Sequence, residues 1–321
     1  MTRGTKLGGG ALALAGVCLL GWVVFGGARG IRRFSHFFRF GARRVVAAKA
    51  VPSPRMAGLP HVYLWAWERQ EDLRFLDGKK VGVAFLAKTL YLKGSKEGQG
   101  GYEKQNSVVV RPRMQPLRIE PGTPLMVVVR IATLARTMTS AYAGANETQF
   151  GFSEKQLTHT ADEIAAAANM PGVNALQIDF DATLSEHDFY GALLVEVRKR
   201  LPNEVPLSIT ALASWCIGDR WLEQLPPGTI DEAVPMLFRM GTGEREIVNY
   251  ISSGEEFRVA ACGTSVGVST DEAFSRGILA DKIAVNWENR KSQRIYIFSP
   301  RAWDQVHAEA ALEVIQKWHA N

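Results

Sequence analysis

The chain has 321 residues, of which 46% are hydrophobic and 22% are charged, so it can bury a substantial core as one large domain. Its net charge of +6 is unevenly distributed. Residues 1–55 contain ten Lys or Arg and no acidic residue, which leaves 28 basic against 32 acidic residues in the remainder. Because the remainder has a net charge of −4, it lacks the positive footprint of a nucleic-acid-binding protein, and we expect no nucleic-acid partner.

The N-terminal segment is predicted to attach the protein to a membrane. Leu7–Gly27 contains 21 residues without a charge and follows Arg3 and Lys6. A helix of this length spans the hydrocarbon core of a bilayer. The segment also fits a cleaved signal peptide, with Gly26-Gly27-Ala28 as the cleavage site. We therefore assign residues 1–28 to a signal or transmembrane anchor, and both interpretations stay open.

Residues 29–59 are predicted to form a basic juxtamembrane linker. Between residues 31 and 50, arginines alternate with four phenylalanines, which is typical of an interfacial helix on anionic lipid. A solvated basic linker fits the same pattern. The segment V-P-S-P-R-M-A-G-L-P at 51–60 contains three prolines and marks the boundary before the globular domain.

From residue 60 onward, apolar segments that suit strands alternate with amphipathic segments that suit helices. Eight strands are predicted, at 61–67, 80–92, 125–133, 173–181, 206–214, 233–240, 257–262 and 294–299, with an inserted β segment at 107–119. Helices are predicted near 154–169, 185–201, 221–225, 245–251, 271–279 and 302–318. This alternation predicts an α/β fold, a (β/α)8 TIM barrel over residues 60–321. A doubly wound open sheet is disfavoured because no glycine-rich turn follows the first strand.

The cysteines and histidines do not indicate a metal site, and no cofactor is expected. Cys18 lies in the hydrophobic segment, Cys216 follows a predicted strand and Cys262 lies within another, without paired spacing. We expect them to be buried free thiols. His187 follows Asp181 by six residues, but the His-x-His and His-x3-His spacings of metal sites are absent. Nucleophilic catalysis is disfavoured because the sequence contains no G-x-S-x-G turn.

The stretch Asn174–Asp181, N-A-L-Q-I-D-F-D, places two carboxylates at the end of the predicted fourth strand. Because side chains alternate along a strand, Gln177, Asp179 and Asp181 share one face. Enclosed carboxylates so close in sequence repel each other and lose hydration, which is typical of acid/base pairs. Barrels hold their active sites at this end of the strands, so we predict Asp179 and Asp181 as catalytic. A buried structural ion network is the alternative.

Further polar and aromatic residues follow predicted strand ends and are candidates for substrate binding. The candidates are Trp67, Glu68, Gln177, Ser214, Trp215 and Arg239. Arg239 has only apolar neighbours on its own strand, so we expect the two aspartates to be its partners. Tryptophan faces stack on sugar rings, although each tryptophan could instead pack in the core. Those near strand ends or loops are Trp65, Trp67, Trp215, Trp287 and Trp303.

The fourth strand resembles the signature D-x-x-D-x-D-x-E of the chitinase-type (family 18) glycoside hydrolases. Asn174, Gln177, Asp179 and Asp181 are in register with its four acidic positions. The resemblance implies a TIM barrel that cleaves glycosidic bonds. It also implies that Asp181 takes the place of the general acid. Asp179 takes the place of the carboxylate that orients the acetamido group of the substrate.

The chain also departs from that family. The acid position holds Asp181, one methylene shorter than Glu, and two supporting acids are replaced by amides. The sixth strand usually provides Tyr-Asp, where this chain has Phe238-Arg239. Over about residues 60–300, the chain resembles an uncharacterised bacterial family of barrel proteins, which has no assigned function. The resemblance rests on H-V-Y-L-W-A-W-E, L-Q-I-D-F-D-A, L-S-I-T-A-L-A-S-W-C and V-P-M-L-F-R-M-G.

Together these features predict a glycoside hydrolase-like barrel that acts on an envelope or extracellular polysaccharide. The alternative is a non-catalytic glycan-binding or envelope-assembly protein. The expected partners are a polysaccharide and, through the N-terminal segment, a membrane. The positive-inside rule would keep the basic flank cytoplasmic, whereas an N-terminal anchor in front of such a barrel usually exports it. We expect a barrel on the periplasmic side of a bacterial inner membrane.

Overall fold

The computed structural model describes residues 50–78, 80–93, 108–133, 152–219, 221–279 and 294–320, the last seven as backbone only. The predicted anchor, most of the predicted linker and Trp287 lie outside the described residues. No helix within the described ranges is long and apolar enough to cross a membrane.

The described residues form strands and helices in the predicted alternation. The strands are β1 (Val62–Ala66), β2 (Glu71–Asp72), β3 (Val81–Leu92), β4 (Val108–Pro112), β5 (Leu117–Arg118), β6 (Leu125–Thr133), β7 (Val173–Asp179), β8 (Leu207–Leu212), β9 (Glu232–Met236), β10 (Ser265–Ser269) and β11 (Arg294–Phe298). The helices are α1 (Glu154–Ala167), α2 (His187–Arg200), α3 (Ala213–Ile217), α4 (Glu244–Ser252), α5 (Ala273–Leu279) and α6 (Gln305–Ala320).

Eight parallel strands close into a barrel, which confirms the predicted α/β TIM-like fold. Their order around the barrel is β1, β3, β6, β7, β8, β9, β10 and β11. Closure is visible at Val62, which is in register with both Val81 and Ile295. The inserted β segment contributes β4, which pairs antiparallel with β3, and β5, which pairs with β2.

One predicted strand is wrong. The segment 257–262 was expected to form the seventh strand, but it contains the short 3-10 turn Ala260–Cys262, and the seventh barrel strand is β10. The apolar residues of this segment resemble a strand, but Phe257 and Val259 are buried in the outer core, between the strands and the helices. The true strand reads S-V-G-V-S, and its small side chains give a weak hydrophobic signal although all five residues are buried.

The barrel interior is filled by large side chains close to its axis. Tyr63 and Tyr296 stack at 5.4 Å between ring centroids, and Trp65 and Met126 belong to the same buried cluster. Gly82 lies beside Tyr63 in the neighbouring strand. A Cβ atom at Gly82 would lie 2.3 Å from the Tyr63 ring, so only glycine leaves room for this phenol.

A chain of hydrogen bonds crosses the lower half of the interior. The Gln177 amide donates to the Ser208 hydroxyl at 3.1 Å, and that hydroxyl donates to Glu232 at 2.9 Å. Glu232 also accepts hydrogen bonds from Arg294 at 2.8 Å and from Tyr296 at 2.6 Å. All five side chains are buried, so the chain satisfies a carboxylate that would otherwise be costly to enclose.

A disulfide joins Cys216 to Cys262, which corrects the expectation of free thiols. The two Cα atoms lie 5.8 Å apart although the cysteines are 46 residues apart in sequence. Cys216 lies in α3 directly after β8, and the backbone N–H of Arg258 donates to the Cys216 carbonyl at 2.9 Å. Packing of two segments far apart in sequence creates the pair, and spacing alone could not indicate it.

The disulfide predicts a definite thiol count and a measurable contribution to stability. The unreduced denatured chain should show one reactive thiol, from Cys18, and three after reduction. Replacing Cys216 and Cys262 by Ala should lower the free energy of unfolding by about 2–4 kcal/mol in urea denaturation, because the unfolded chain gains freedom. Cys18→Ala is the control and should leave the unfolding curve unchanged. Three reactive thiols without reductant would contradict the pairing.

Candidate functional site

Asp179 ends β7 at the end of the barrel where the strands have their C-termini, referred to below as the mouth. Its side chain is in register with Arg130 of β6, and its carboxylate lies 3.9 Å from the Arg130 guanidinium. The Thr210 hydroxyl of β8 donates to the same carboxylate at 2.9 Å. Asp179 is buried, whereas Asp181, two residues beyond it, is partly exposed. The mouth therefore contains an enclosed carboxylate beside a more accessible one.

The environment of Asp179 favours its neutral form. Burial and, to a smaller extent, the negative charge of Asp181 raise the pKa of Asp179 to about 6, although Arg130 and Thr210 act in the opposite direction. The buried phenol of Tyr190 on α2 lies within reach of the same charges. Burial and then the charges of Asp179 and Asp181 raise the Tyr190 pKa well above its usual value. Asp179 can therefore hold a proton at mildly acidic pH.

The expected pairing of Arg239 with the two aspartates is corrected. Its guanidinium lies 3.5 Å from Asp271 and 4.0 Å from Glu272, whereas Asp179 is paired with Arg130. The reason is that β9 ends at Met236, so that Arg239 belongs to the loop after the strand and turns toward the start of α5.

Arg130 and Thr210 are site residues that sequence reasoning missed. Arg130 lies within L-M-V-V-V-R-I-A-T, which was predicted to be a strand and looks almost wholly apolar. Alternation was the available signal, because Met126 and Val128 fill the barrel interior and Arg130 is the next residue on that face. The same argument applies to Thr210, two residues after the interior-facing Ser208.

Trp215 and Ser214 do not lie where the sequence placed them. Trp215 was predicted to stack on a sugar, but it is only 3% exposed. Its ring packs edge-on against Trp221 at 5.1 Å and His187 at 5.5 Å in the outer core. The predicted fifth strand ends at Leu212, so Ser214 lies on the short helix α3 instead of at a strand end. Trp215 is therefore a core residue.

The remaining candidates divide between the mouth and the interior. Trp67 is partly exposed beside Arg130, whose Cζ lies 5.0 Å from the ring centroid, and Glu68 forms an ion pair with Arg111 at 2.8 Å. Gln177 is fully buried and accepts a hydrogen bond from the Trp65 indole at 2.9 Å. Gln177 therefore supports the wall beneath the mouth.

A small cavity separates the interior hydrogen-bond chain from the mouth. Its empty volume is about 240 Å³, most of it too narrow for solvent, which leaves room for about one water molecule. Its lining includes Trp65, Gln177, Thr210, Phe238 and Phe298. A sugar ring does not fit in it, so any glycan must bind above it at the mouth.

Metal ligation finds no support in the described ranges. They contain no group of three or more His, Cys, Asp or Glu side chains placed to hold a metal ion. His187, the histidine closest in sequence to the two aspartates, stacks on Trp221 at 4.7 Å in the outer core.

The pKa of Asp179 predicts how stability changes with pH. Because the folded-state pKa is raised from 3.8 to about 6, protonation of Asp179 stabilises the fold at low pH, and this stabilisation is lost as the pH rises through 6. Relative to Asp179→Asn, the free energy of unfolding should therefore fall by up to about 3 kcal/mol between pH 4 and pH 7. Urea denaturation of the wild type and of Asp179→Asn at each pH measures the two free energies of unfolding. Exposed Asp77→Asn is the control, and parallel profiles for wild type and Asp179→Asn would contradict the shift.

No protein family model and no curated protein matches the chain. Among solved structures, it is similar to a candidate chitinase A from Streptomyces coelicolor, with a TM-score of 0.45 and 12% identity, over 81% of this chain and 98% of that one. It is also similar to the chitinase domain of the spore coat protein CotE from Clostridium difficile, with a TM-score of 0.35 and 12% identity, over 77% of this chain and 68% of that one. For the Bacillus cereus spore cortex-lytic enzyme SleL, the TM-score is 0.33 and the identity 14%, over 65% of this chain and 51% of that one.

Proposed function

We propose that this protein is a glycoside hydrolase-like barrel that acts on an envelope or extracellular polysaccharide. Asp181 serves as the general acid and Asp179 as its partner carboxylate, the roles that the resemblance of the fourth strand implies. The observation that supports this proposal most directly is the enclosure of Asp179 at the mouth, with a pKa raised to about 6, beside the more exposed Asp181.

Such a pair supplies the two functions that glycoside cleavage requires. Burial and the negative charge of Asp181 oppose ionisation of Asp179, so the site holds a proton at mildly acidic pH. In the free protein this proton rests on Asp179. Its transfer through Asp181 to the leaving oxygen leaves Asp179 charged beside Thr210 and Arg130, where it stabilises the positive charge that develops on the sugar. Water then adds to the sugar and returns a proton to the pair.

A non-catalytic glycan-binding or envelope-assembly protein is the second candidate. The observation that favours it is the filled interior, which leaves room for about one water molecule beneath the carboxylates. Substrate distortion toward the barrel axis would be restricted in such a site. Under this alternative, Trp67 and Asp179 contact a glycan without cleaving it.

Hydrolysis is tested by the release of reducing ends from a panel of bacterial polysaccharides. Asp181→Asn should lower the rate at least about 100-fold, because it removes the acid and keeps the shape of the side chain. Asp181→Glu restores the longer acid and should retain more activity than Asp181→Asn. Exposed Asp77→Asn is the control and should behave as wild type.

Each outcome of this assay favours one candidate. Turnover that survives Asp181→Asn would exclude Asp181 as the acid. Glycan binding without turnover in all four proteins, weakened by Trp67→Ala, would favour the non-catalytic candidate.

We also propose that the barrel lies outside the cytoplasm, on the periplasmic face of a bacterial inner membrane, attached through residues 1–28. The disulfide supports this proposal because such bonds persist in oxidising compartments. Alkaline phosphatase, which is active only after export, should be active when fused after Asn321. An inactive phosphatase in a stable fusion would contradict the placement.

A further inference from the structure

Two arginines at the mouth lie on aromatic side chains. Arg130 extends from β6, and its Cζ lies 5.0 Å from the ring centroid of Trp67. Arg239 follows β9, and its Cζ lies 5.8 Å from the ring centroid of Phe298. Trp67 and Phe298 are themselves neighbours, with centroids 6.1 Å apart. Two guanidinium groups thus rest on adjacent rings of one aromatic surface.

This surface holds the guanidinium groups in place without using their hydrogen-bond donors. Phe238 stacks on Phe298 at 5.4 Å with an angle of 6° between the rings, and both are partly exposed, as is Trp67. A guanidinium group stacks through its flat face, whereas its N–H donors point outward in the plane. The donors therefore stay available while the position of the charge is fixed.

The ion pairs of both arginines are long. Arg130 lies 3.9 Å from Asp179, and Arg239 lies 3.5 and 4.0 Å from two carboxylates of the loop after β10. Strong charge-assisted hydrogen bonds are shorter, about 2.7–2.9 Å. Within the described ranges neither guanidinium donates a hydrogen bond, and the two side chains are 36% and 48% exposed. Both groups can therefore bind an anion from solvent.

The backbone at Arg239 has an unusual conformation that supports a role at the mouth. Its φ is +51°, and in the described part of the chain it is the one residue other than glycine with a positive φ. Its backbone N–H donates to both carboxylate oxygens of Glu272, at 2.9 and 3.1 Å. Side chains disfavour this conformation, and strained residues of this kind cluster at active sites and ligand clamps.

We propose that the mouth binds a polysaccharide that contains carboxylate groups, and that Arg239 and Arg130 bind these groups. This inference rests on the proposed function and specifies its substrate class. The two oxygens of a carboxylate match the paired donors of a guanidinium, so a uronic acid residue provides both the charge and the geometry. A neutral glycan offers no anionic group to either guanidinium.

The test compares acidic oligosaccharides with neutral counterparts of the same length. Isothermal titration of the full chain is carried out with oligomers of galacturonate, mannuronate, guluronate and glucuronate, and with the carboxyl-reduced form of each. At least one acidic oligomer should bind about tenfold more tightly than its reduced form, and added salt should weaken that binding. Equal affinity within every pair would overturn the inference. Sulfated dextran that binds as tightly would overturn the assignment to carboxylate.

Variants connect the preference to the two arginines. Arg239→Gln should weaken binding of the preferred acidic oligomer about tenfold, because one charged hydrogen-bonding group is lost. Arg239→Lys keeps the charge and should retain part of the affinity, as should Arg130→Lys. Arg245→Gln on the exposed face of α4 is the matched control and should change nothing. Unchanged affinity in Arg239→Gln would overturn the role of Arg239.

The inference and the proposed function can fail separately. Carboxylate-dependent binding without release of reducing ends would support the inference and contradict hydrolysis. Turnover of neutral glycans alone, dependent on Asp181, would overturn the inference and leave the proposed function standing.

Discussion

The ion pair between Glu232 and Arg294 is the centre of the hydrogen-bond network that fills the lower barrel interior. Glu232 is fully buried, and its carboxylate lies 2.8 Å from the Arg294 guanidinium. An enclosed carboxylate without such a partner would cost several kcal/mol. Arg294 also donates to the carbonyls of Met56 and Pro60, which fixes the segment that enters the barrel. Because Ser208 extends this network toward the mouth, the polar groups of the lower interior bond to one another, and the candidate site lies above them at the strand ends.

The contrast between the buried carboxylates of Glu232 and Asp179 supports the candidate site. Glu232 has a guanidinium at 2.8 Å and two hydroxyl donors, whereas Asp179 has one hydroxyl donor and a guanidinium at 3.9 Å. The weaker compensation at Asp179 explains why burial dominates there and raises its pKa. A shorter distance between Arg130 and Asp179 would stabilise the fold more. The long ion pair at the mouth is therefore more typical of a functional site than of a structural one.

Most of the barrel could be predicted because its strands are apolar and alternate with amphipathic helices, and β6 was placed at its correct bounds. Strand β10 could not, because Val266 and Val268 alternate with serine and glycine. For the candidate site, the sequence indicates only what one strand contributes, Asp179 and Asp181, and their role stays a prediction. Its partners come from other strands, so Arg130 was missed and Trp215 was misplaced. The disulfide was missed for the same physical reason, since a pairing between distant segments depends on packing and leaves no periodic signal.

We expect the mouth to keep the Asp179 carboxyl group protonated at mildly acidic pH, because it is buried beside a second carboxylate. A titration of the aspartate carboxyl carbons by NMR on the full chain, assigned with Asp179→Asn, measures this directly. We expect a pKa of about 6 for Asp179 in the wild type and a lower pKa for Asp179 in Asp181→Asn, because the neighbouring charge is removed. A pKa near 3.8 in both proteins would contradict it.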